Sequence, residues 1–294
     1  SRYILMNLDG RELVNNPVLN SADKWIYSCL NNAAKNIREA FLSYRYNDAA
    51  QTAYEFFWND FCDWYVEASK LSIKGGSDSE KDRAATILLD ILEKSLRLLH
   101  PLLPFVTEEI YQKLNSENKE QVMLITCRYP EYDAKLANPE EEKKFSLLQS
   151  LVGMVRTIRS ECGIQPAAKL RVLVRSKMAE VFKQNEELIK LLAGMGELLI
   201  EDEKPGTEKG AIGLAGTGFE VFVFVAEAVD TAALKKKFTG DLEKDQKYID
   251  GLRAKLANEQ FVKNAPPELV EEQRGKLEEA VKRTEKLKSY LKDL

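Results

Sequence analysis

The amino-acid sequence predicts a mainly α-helical protein with three parts: a helical-bundle domain, a small α/β module and a C-terminal antiparallel coiled-coil hairpin. Apolar residues first recur three and four positions apart, runs of β-forming residues then interrupt this spacing, and heptads fill the C-terminal segment. We place the bundle at residues 1–140, the α/β module at 141–230 and the hairpin at 231–294.

The first part contains four amphipathic helices joined by short connections. Ala22 to Tyr44 carries one apolar stripe, and Ala49 to Leu71 is a second helix rich in aromatic residues. A third helix covers Asp82 to Leu99, and after a proline turn a fourth begins at Thr107, a good N-cap residue. Four consecutive helices with short connections are typical of an α-helical bundle.

The middle part changes to β periodicity after one more helix, predicted at Phe145 to Glu161. Leu170 to Val174 and Phe219 to Val225 are rich in β-forming residues, and the near-continuous run of the second predicts a central strand. Between them, Met178 to Leu192 is predicted to be helical. The glycine-rich stretch Gly206 to Gly218 is predicted to be a loop or hairpin.

The last part contains two heptad seams that one helix cannot join. The first seam runs from Phe238 to Leu256 and the second from Val270 to Leu291. The sequence Asn264-Ala265-Pro266-Pro267 lies between them, and proline interrupts a helix. We therefore predict two antiparallel helices, each roughly 35 Å long at about 1.5 Å per residue.

Composition restricts the class of protein. Of the 294 residues 44% are hydrophobic, which suits a chain with a buried core, and no apolar run approaches the roughly 20 residues that cross a bilayer. We expect a cytoplasmic protein with no membrane contact. The cysteines are widely spaced, which fits neither a disulfide framework nor a C-x-x-C metal pair: Cys29, Cys62, Cys127 and Cys162.

The sequence offers few groups for catalysis. Its single histidine, His100, lies next to a proline turn at a predicted helix end, where a structural imidazole is expected. Gly213 to Gly218 lacks the lysine that a phosphate-binding loop needs. We therefore expect no catalytic residue and no metal site in this chain.

Two groups of residues point to nucleic acid instead. The stretch Tyr54 to Tyr65 places aromatic rings all round a helix, so that some rings can pack while others stack on unpaired bases. An α-helical spacing predicts one shared, packed side for Tyr54, Phe57, Phe61 and Trp64. Asn59 and Asp63 are candidates for hydrogen bonds to base edges; the alternative is a solvated helix face.

The hairpin carries most of the excess positive charge. The net charge of the whole chain is −4, but Ala233 to Leu294 contains 15 Lys/Arg against 12 Asp/Glu. Phosphate contacts are one function of such residues, and the solvated face of a coiled coil is the other. The candidates are Lys235, Lys236, Lys237, Lys244, Lys247, Arg253, Lys255, Lys263, Arg274, Lys282 and Arg283.

Three motifs resemble the valyl-tRNA synthetases, a family of class I aminoacyl-tRNA synthetases. YNDAAQ at residues 46–51 with YEFFWNDFCDWY at 54–65 resembles their anticodon-binding helical domain. LHPLLPFVTEEI at 99–110 is similar to the same domain, in a form shared with the isoleucyl and leucyl enzymes. NEQFVKNAPPELV at 258–270 is similar to the connector of their C-terminal coiled-coil arm. The resemblance covers essentially the whole chain.

The resemblance implies that the bundle binds the anticodon stem and loop of valine tRNA, and that the hairpin contacts the outer corner of the tRNA. It also implies a parent enzyme that uses ATP with magnesium. The signature motifs of that catalysis would precede Ser1, so we expect a monomeric fragment that needs no cofactor and does not aminoacylate. The isoleucyl enzyme and a dimerising coiled-coil scaffold stay open as alternatives.

We select nine residues as candidate tRNA contacts. They are the polar or aromatic residues expected at the bundle surface and first helix, and four cations of the arm: Arg2, Asn7, Tyr46, Asn59, Asp63, Arg253, Lys255, Lys263 and Arg274.

Overall fold

The computed structural model describes residues 2–8, 11–115, 122–204 and 206–294. It divides into two compact units, residues 1–148 and 149–294, each of which is described by itself. The first unit is helical, and the second combines a four-stranded sheet with a long helical hairpin. The predicted mainly α fold class with a small α/β module is confirmed, whereas the three-part division stays a prediction.

The first unit is a bundle whose helices follow one another with short connections. They are α1 (Arg2–Leu8), α2 (Ser21–Leu42), α3 (Tyr46–Glu55), a π-helix (Phe56–Tyr65), α4 (Val66–Gly75), α5 (Asp78–Leu99), α6 (Pro104–Leu114) and α7 (Pro139–Cys162), which continues into the second unit. A short 3₁₀ turn, Leu124–Thr126, precedes α7.

Four of the predicted helices begin three to six residues earlier than the sequence suggested, among them α5 at Asp78 instead of Asp82 and α7 at Pro139 instead of Phe145. The second predicted helix begins at Tyr46 and continues through the π-helix into α4. The fourth begins at Pro104, because proline suits the first turn, where its missing N–H is not needed. Thr107 does not cap this helix; its hydroxyl donates to the carbonyl of Leu103 at 2.8 Å.

Capping boxes define the starts of α2 and α5. At α2, the Asn20 side chain accepts from the backbone N–H of Asp23 at 2.9 Å, and Asp23 accepts from that of Asn20 at 3.0 Å. At α5, Ser77 and Glu80 exchange the same pair of bonds. Both caps satisfy N–H groups that a helix start otherwise leaves without a partner.

The core of the bundle is built on α2 and α5. Trp25 of α2 stacks on Phe145 of α7, with ring centroids 4.2 Å apart and an interplanar angle of 7°. Tyr65, at the end of the π-helix, donates to the buried carboxylate of Asp23 at 2.7 Å, and Arg83 of α5 lies 3.2 Å from the same group. This hub ties α2, the π-helix and α5 together.

The second unit contains a mixed sheet of strand order β2-β1-β4-β3. Its strands are β1 (Leu170–Ser176), β2 (Met195–Glu201), β3 (Ile212–Gly216) and β4 (Phe219–Val223). β1 runs parallel to β2 and antiparallel to β4, so the predicted central position of the second β-rich run is confirmed.

Three features of this unit differ from the sequence prediction or refine it. The glycine-rich stretch contains β3, which forms a hairpin with β4 through Gly218 at φ 81°. The predicted helix between the strands is two helices, α8 (Ala179–Gln184) and α9 (Glu186–Ala193), separated at Asn185. β2 was not predicted from the sequence, because its glycine and its mixture of apolar and acidic residues resemble the end of a helix.

The hairpin consists of α10 (Thr231–Ala257), a short α11 (Glu259–Asn264) and α12 (Pro267–Asp293). The predicted seam is confirmed: the buried residues are Leu234, Phe238, Asp245, Ile249 and Leu252 on α10, and Val270, Gln273, Ala280, Thr284, Leu287 and Tyr290 on α12. Asn258 interrupts α10 before the prolines do, since its side chain accepts from the N–H groups that open α11.

One carboxylate anchors the base of the hairpin. Glu161, at the end of α7, accepts from the Tyr290 hydroxyl at 2.8 Å and from Lys286 at 2.7 Å. Lys237 donates to the backbone carbonyl of Glu161 at 2.7 Å. Both long helices are therefore held to the same point of the second unit.

Candidate nucleic-acid interface

The π-helix determines which aromatic rings face outward in the bundle. It buries Phe56, Phe61 and Tyr65, which are five and four positions apart, a spacing that suits the wider turn of a π-helix. The predicted packed side is therefore wrong for Tyr54, which is exposed, and Phe57 and Trp64 are only half-buried. An α-helix would turn Phe56 and Phe61 to different sides.

The outer face of this segment presents two aromatic rings and two of the predicted polar contacts. Tyr54 and Trp58 are 56% and 51% exposed, and their rings are parallel within 4° with centroids 6.3 Å apart. Asn59 and Asp63 are exposed on the same π-helix, four positions apart. The structure thus exposes Asn59 and Asp63 on the helical segment that also carries a parallel aromatic pair absent from the candidate list.

A second group of exposed aromatic rings lies between α2 and α3. The predicted contact Tyr46 is 54% exposed, and its ring meets that of Tyr44 edge-on with centroids 6.3 Å apart. Tyr44 is 79% exposed and adopts φ 57°, a left-handed conformation in which glycine is usual. Glycine would adopt this conformation after the end of α2 more easily, so Tyr44 carries some backbone strain there.

The two candidates of the first helix occupy different environments. Arg2 is exposed, whereas the amide of Asn7 is partly buried and donates to the backbone carbonyl of Tyr3 at 2.7 Å. The side chain of Asn7 is thus engaged within its own helix. Arg2 has the freer side chain for contact with an external group.

Two acidic side chains of the bundle, the half-buried Asp60 of the π-helix and the buried Asp23 of α2, have raised pKa values. Burial raises the pKa of Asp60 to about 6, and the nearby carboxylates of Glu55 and Glu142 act in the same direction. Burial likewise raises the pKa of Asp23, although its bonds to Asn20 and Tyr65 oppose this.

The four arm candidates are all exposed but differ in their partners. Lys263 forms an ion pair with Glu259 at 3.1 Å. Lys255 donates to Gln273 at 3.4 Å and lies 4.8 Å from the Phe261 ring centroid. Arg253 and Arg274 have neither a hydrogen bond nor an ion pair within residues 206–294, all of which the structure describes. Arg253 and Arg274 are therefore the arm candidates whose charged groups have no partner within the hairpin.

The groups considered for catalysis have structural surroundings. His100 Nδ1 lies 2.8 Å from the Thr107 hydroxyl, so this ring nitrogen has a hydrogen-bond partner within the bundle, and the structural role of the imidazole stays a prediction. All four cysteines are free thiols. Among the described residues, no group of three or more His, Cys, Asp or Glu side chains is placed to hold a metal ion, and no helix is long and apolar enough to span a membrane.

Comparison with known protein families identifies two regions. Residues 23–174, about half of the chain, match the anticodon-binding domain of tRNA ligases. Residues 230–294 match the tRNA-binding arm of valyl-tRNA synthetases. The first region contains the exposed aromatic face, and the second contains the whole hairpin.

Full-length relatives agree with these matches. The chain is 46% identical to a valine–tRNA ligase of Treponema denticola over 100% of the chain and 34% of that protein. It is 38% identical to the ligase of Treponema pallidum, with 100% and 34% covered, and 37% identical to that of Thermotoga maritima, with 100% and 33% covered. The chain thus spans about a third of the length of these curated relatives.

Proposed function

This chain belongs to the valyl-tRNA synthetase family, and from that premise we propose that it is the tRNA-binding part of a valine–tRNA ligase. In this role the bundle recognises the anticodon stem and loop, and the hairpin contacts the outer corner of the tRNA. The observation that carries the proposal is the exposed, parallel Tyr54–Trp58 pair inside the region that matches an anticodon-binding domain, with Asn59 and Asp63 exposed on the same helical segment.

The chemistry of these groups suits single-stranded RNA. Unpaired bases stack on exposed aromatic rings, and amide or carboxylate side chains then bond the base edges. Stacking tolerates any base, whereas edge contacts discriminate between bases, so the two kinds of group have separate roles. The unpaired arginines of the hairpin supply contacts to phosphates that do not depend on sequence.

The catalytic reaction belongs, in this proposal, to other parts of the parent ligase. ATP and magnesium would bind there, and the chain would act in the cytoplasm as a monomer. We expect no valine-dependent exchange of pyrophosphate into ATP from this chain alone. Such exchange, at a rate that scales with the amount of purified chain, would contradict the assignment.

The test is binding of the purified chain to valine tRNA and to isoleucine tRNA across a salt series. We expect tighter binding of valine tRNA and an affinity that falls as salt rises. Equal affinity for both tRNAs would mean that other parts of the parent ligase distinguish valine tRNA from isoleucine tRNA. No RNA binding, with concentration-dependent self-association instead, would favour a coiled-coil scaffold.

A variant links the test to the aromatic face. Trp58→Ala should weaken binding of valine tRNA by the roughly 1–3 kcal/mol that one stacked base contributes. Phe105→Ala is a matched control, since Phe105 is an exposed ring on α6 of the same unit. Equal losses in both variants would show that the Trp58 ring has no specific contact with the RNA.

A further inference from the structure

The two long helices of the hairpin pair in a single antiparallel register. Asp245 lies 3.0 Å from Arg283, and Lys255 donates to Gln273 at 3.4 Å. These contacts are ten residues apart on each helix, so the register does not slip between them. The same register places Arg253 of α10 within one residue of the position opposite Arg274 of α12, since the residue opposite Arg253 is Gly275.

Arg253 and Arg274 belong to one flank of the seam. This flank, here called the arginine flank, contains the residues that directly follow every second seam position: Thr239, Gln246 and Arg253, after Phe238, Asp245 and Leu252 on α10, and Arg274, Val281 and Lys288, after Gln273, Ala280 and Leu287 on α12. It has no Asp or Glu. Gln246 bonds the outer residue Asp250 at 3.1 Å, and Val281 is half-buried.

The cations of the opposite flank already have partners inside the protein. Arg283 pairs with Asp245 at 3.0 Å, and Lys276 pairs with Glu272 at 2.5 Å. Lys255 is held by Gln273 and Phe261. On the arginine flank, by contrast, Arg253, Arg274 and Lys288 are exposed and have no ion pair in this fully described segment.

Stability does not explain this arrangement. Coiled coils usually place opposite charges at flanking positions, because these attract across the seam. Two arginines within one residue of opposite positions repel instead. The nearest carboxylates along α12, Glu271 and Glu278, form no ion pair with Arg274, and Glu278 is paired with Lys282 at 2.6 Å. A bound anion would turn the repulsion into attraction.

We propose that the arginine flank is the face of the hairpin that binds RNA, and that Arg253 and Arg274 together hold one backbone phosphate. Guanidinium groups suit this role, since their fork of N–H donors matches phosphate oxygens in a bidentate geometry. Lys288 extends the same flank toward the base of the hairpin. The proposal rests on the tRNA-binding function proposed above and names the surface and the chemical group it recognises.

The test compares charge removal on the two flanks. Arg253→Gln with Arg274→Gln removes two cations from the arginine flank, and Lys276→Gln, the matched control for each single arginine variant, removes one from the other. With a valine tRNA transcript, we expect the arginine variant to bind about tenfold more weakly, as for loss of a charge-assisted contact. The slope of log affinity against log salt should also fall by roughly 0.7–0.9, the value for one phosphate.

Single variants test whether both arginines hold the same phosphate. Each single Arg→Gln change should then cause most of the loss seen in the double variant. Lysine at both positions should keep the salt slope but lose part of the affinity. Thermal unfolding of the double Gln variant should be unchanged or occur at a higher temperature, because a repulsion has been removed.

The outcomes separate the two proposals. If the lysine control loses as much affinity as a single arginine variant, or more, the assignment of the flank is wrong while tRNA binding stands. The assignment of the flank is also wrong if the slope of log affinity against log salt does not change in the arginine variant. If the unmodified chain binds no tRNA, the proposed function itself fails, and the flank loses its ligand.

Discussion

Replacing Asp60 by asparagine should stabilise the protein at neutral pH and have little effect at pH 4. Asp60 lies on the inner side of the π-helix, where burial, Glu55 and Glu142 raise its pKa to about 6 from the ordinary 3.8. The folded state therefore binds a proton more tightly than the unfolded chain does. The contribution of Asp60 to the free energy of unfolding is fully present below pH 3.8 and is lost as the pH rises through 6.

The size of the effect follows from the pKa. The difference between about 6 and 3.8 corresponds to roughly 3 kcal/mol at 1.36 kcal/mol per pH unit. Asp60 is only half-buried, so solvent screening should reduce this to roughly 1–2 kcal/mol. Asparagine keeps the shape of the side chain without its charge and so avoids the cost of burying it.

Urea unfolding at several pH values measures this directly. The gain in unfolding free energy of Asp60→Asn over the unmodified chain should grow between pH 4 and pH 6 and then stay constant. Asp63→Asn is the matched control, because Asp63 is exposed on the same π-helix. A gain that does not vary with pH, or a larger gain in the control, would refute the reasoning.

Two further predictions concern buried hydroxyl groups. Tyr65→Phe should lower the unfolding free energy by roughly 1.5–3 kcal/mol, because the buried carboxylate of Asp23 loses a donor at 2.7 Å; urea unfolding that matches the unmodified chain would contradict this. Glu161→Ala should cost roughly 1–3 kcal/mol by leaving the buried Tyr290 hydroxyl without its acceptor, and faster hydrogen exchange near the base of α12 should report it. Adding Tyr290→Phe to Glu161→Ala should recover part of that loss, and a simple sum of the two losses would argue against the pairing.

The charge pattern of the hairpin matters more than its net charge. An excess of 15 basic over 12 acidic residues predicts only a weak general attraction to RNA. Intramolecular pairing then engages many of these cations, including Lys263, Lys276 and Lys282. Of the three arginines of the hairpin, Arg283 is paired with Asp245, and the two that have no ion pair, Arg253 and Arg274, both belong to the arginine flank.

Much of the fold could be predicted from local periodicity. The heptads of α10 and α12 predicted a hairpin whose seam positions are all buried or half-buried in the structure, and the spacing in α2 and α5 predicted two core helices. These predictions succeed because burial of a regular helix repeats at fixed intervals along the chain. The motif resemblance was also available from the sequence, and the family comparisons confirm it.

The site depended on features that no local pattern contains. The π-helix forms because Phe56, Phe61 and Tyr65 all pack inward, and this decides that Tyr54 and Trp58 face outward. β2 is a strand because β1 lies beside it, not because of its own composition.

The sequence alone therefore determined the helices, the hairpin and the family, whereas the tertiary structure decided which side chains face solvent and which face each other. Arg253 and Arg274 are 21 positions apart in the chain, and only the register of α10 against α12 brings them within one residue of opposite positions. The physical reason is that helix formation is governed by neighbours in sequence, while the exposure and pairing of a side chain depend on segments that meet only after folding.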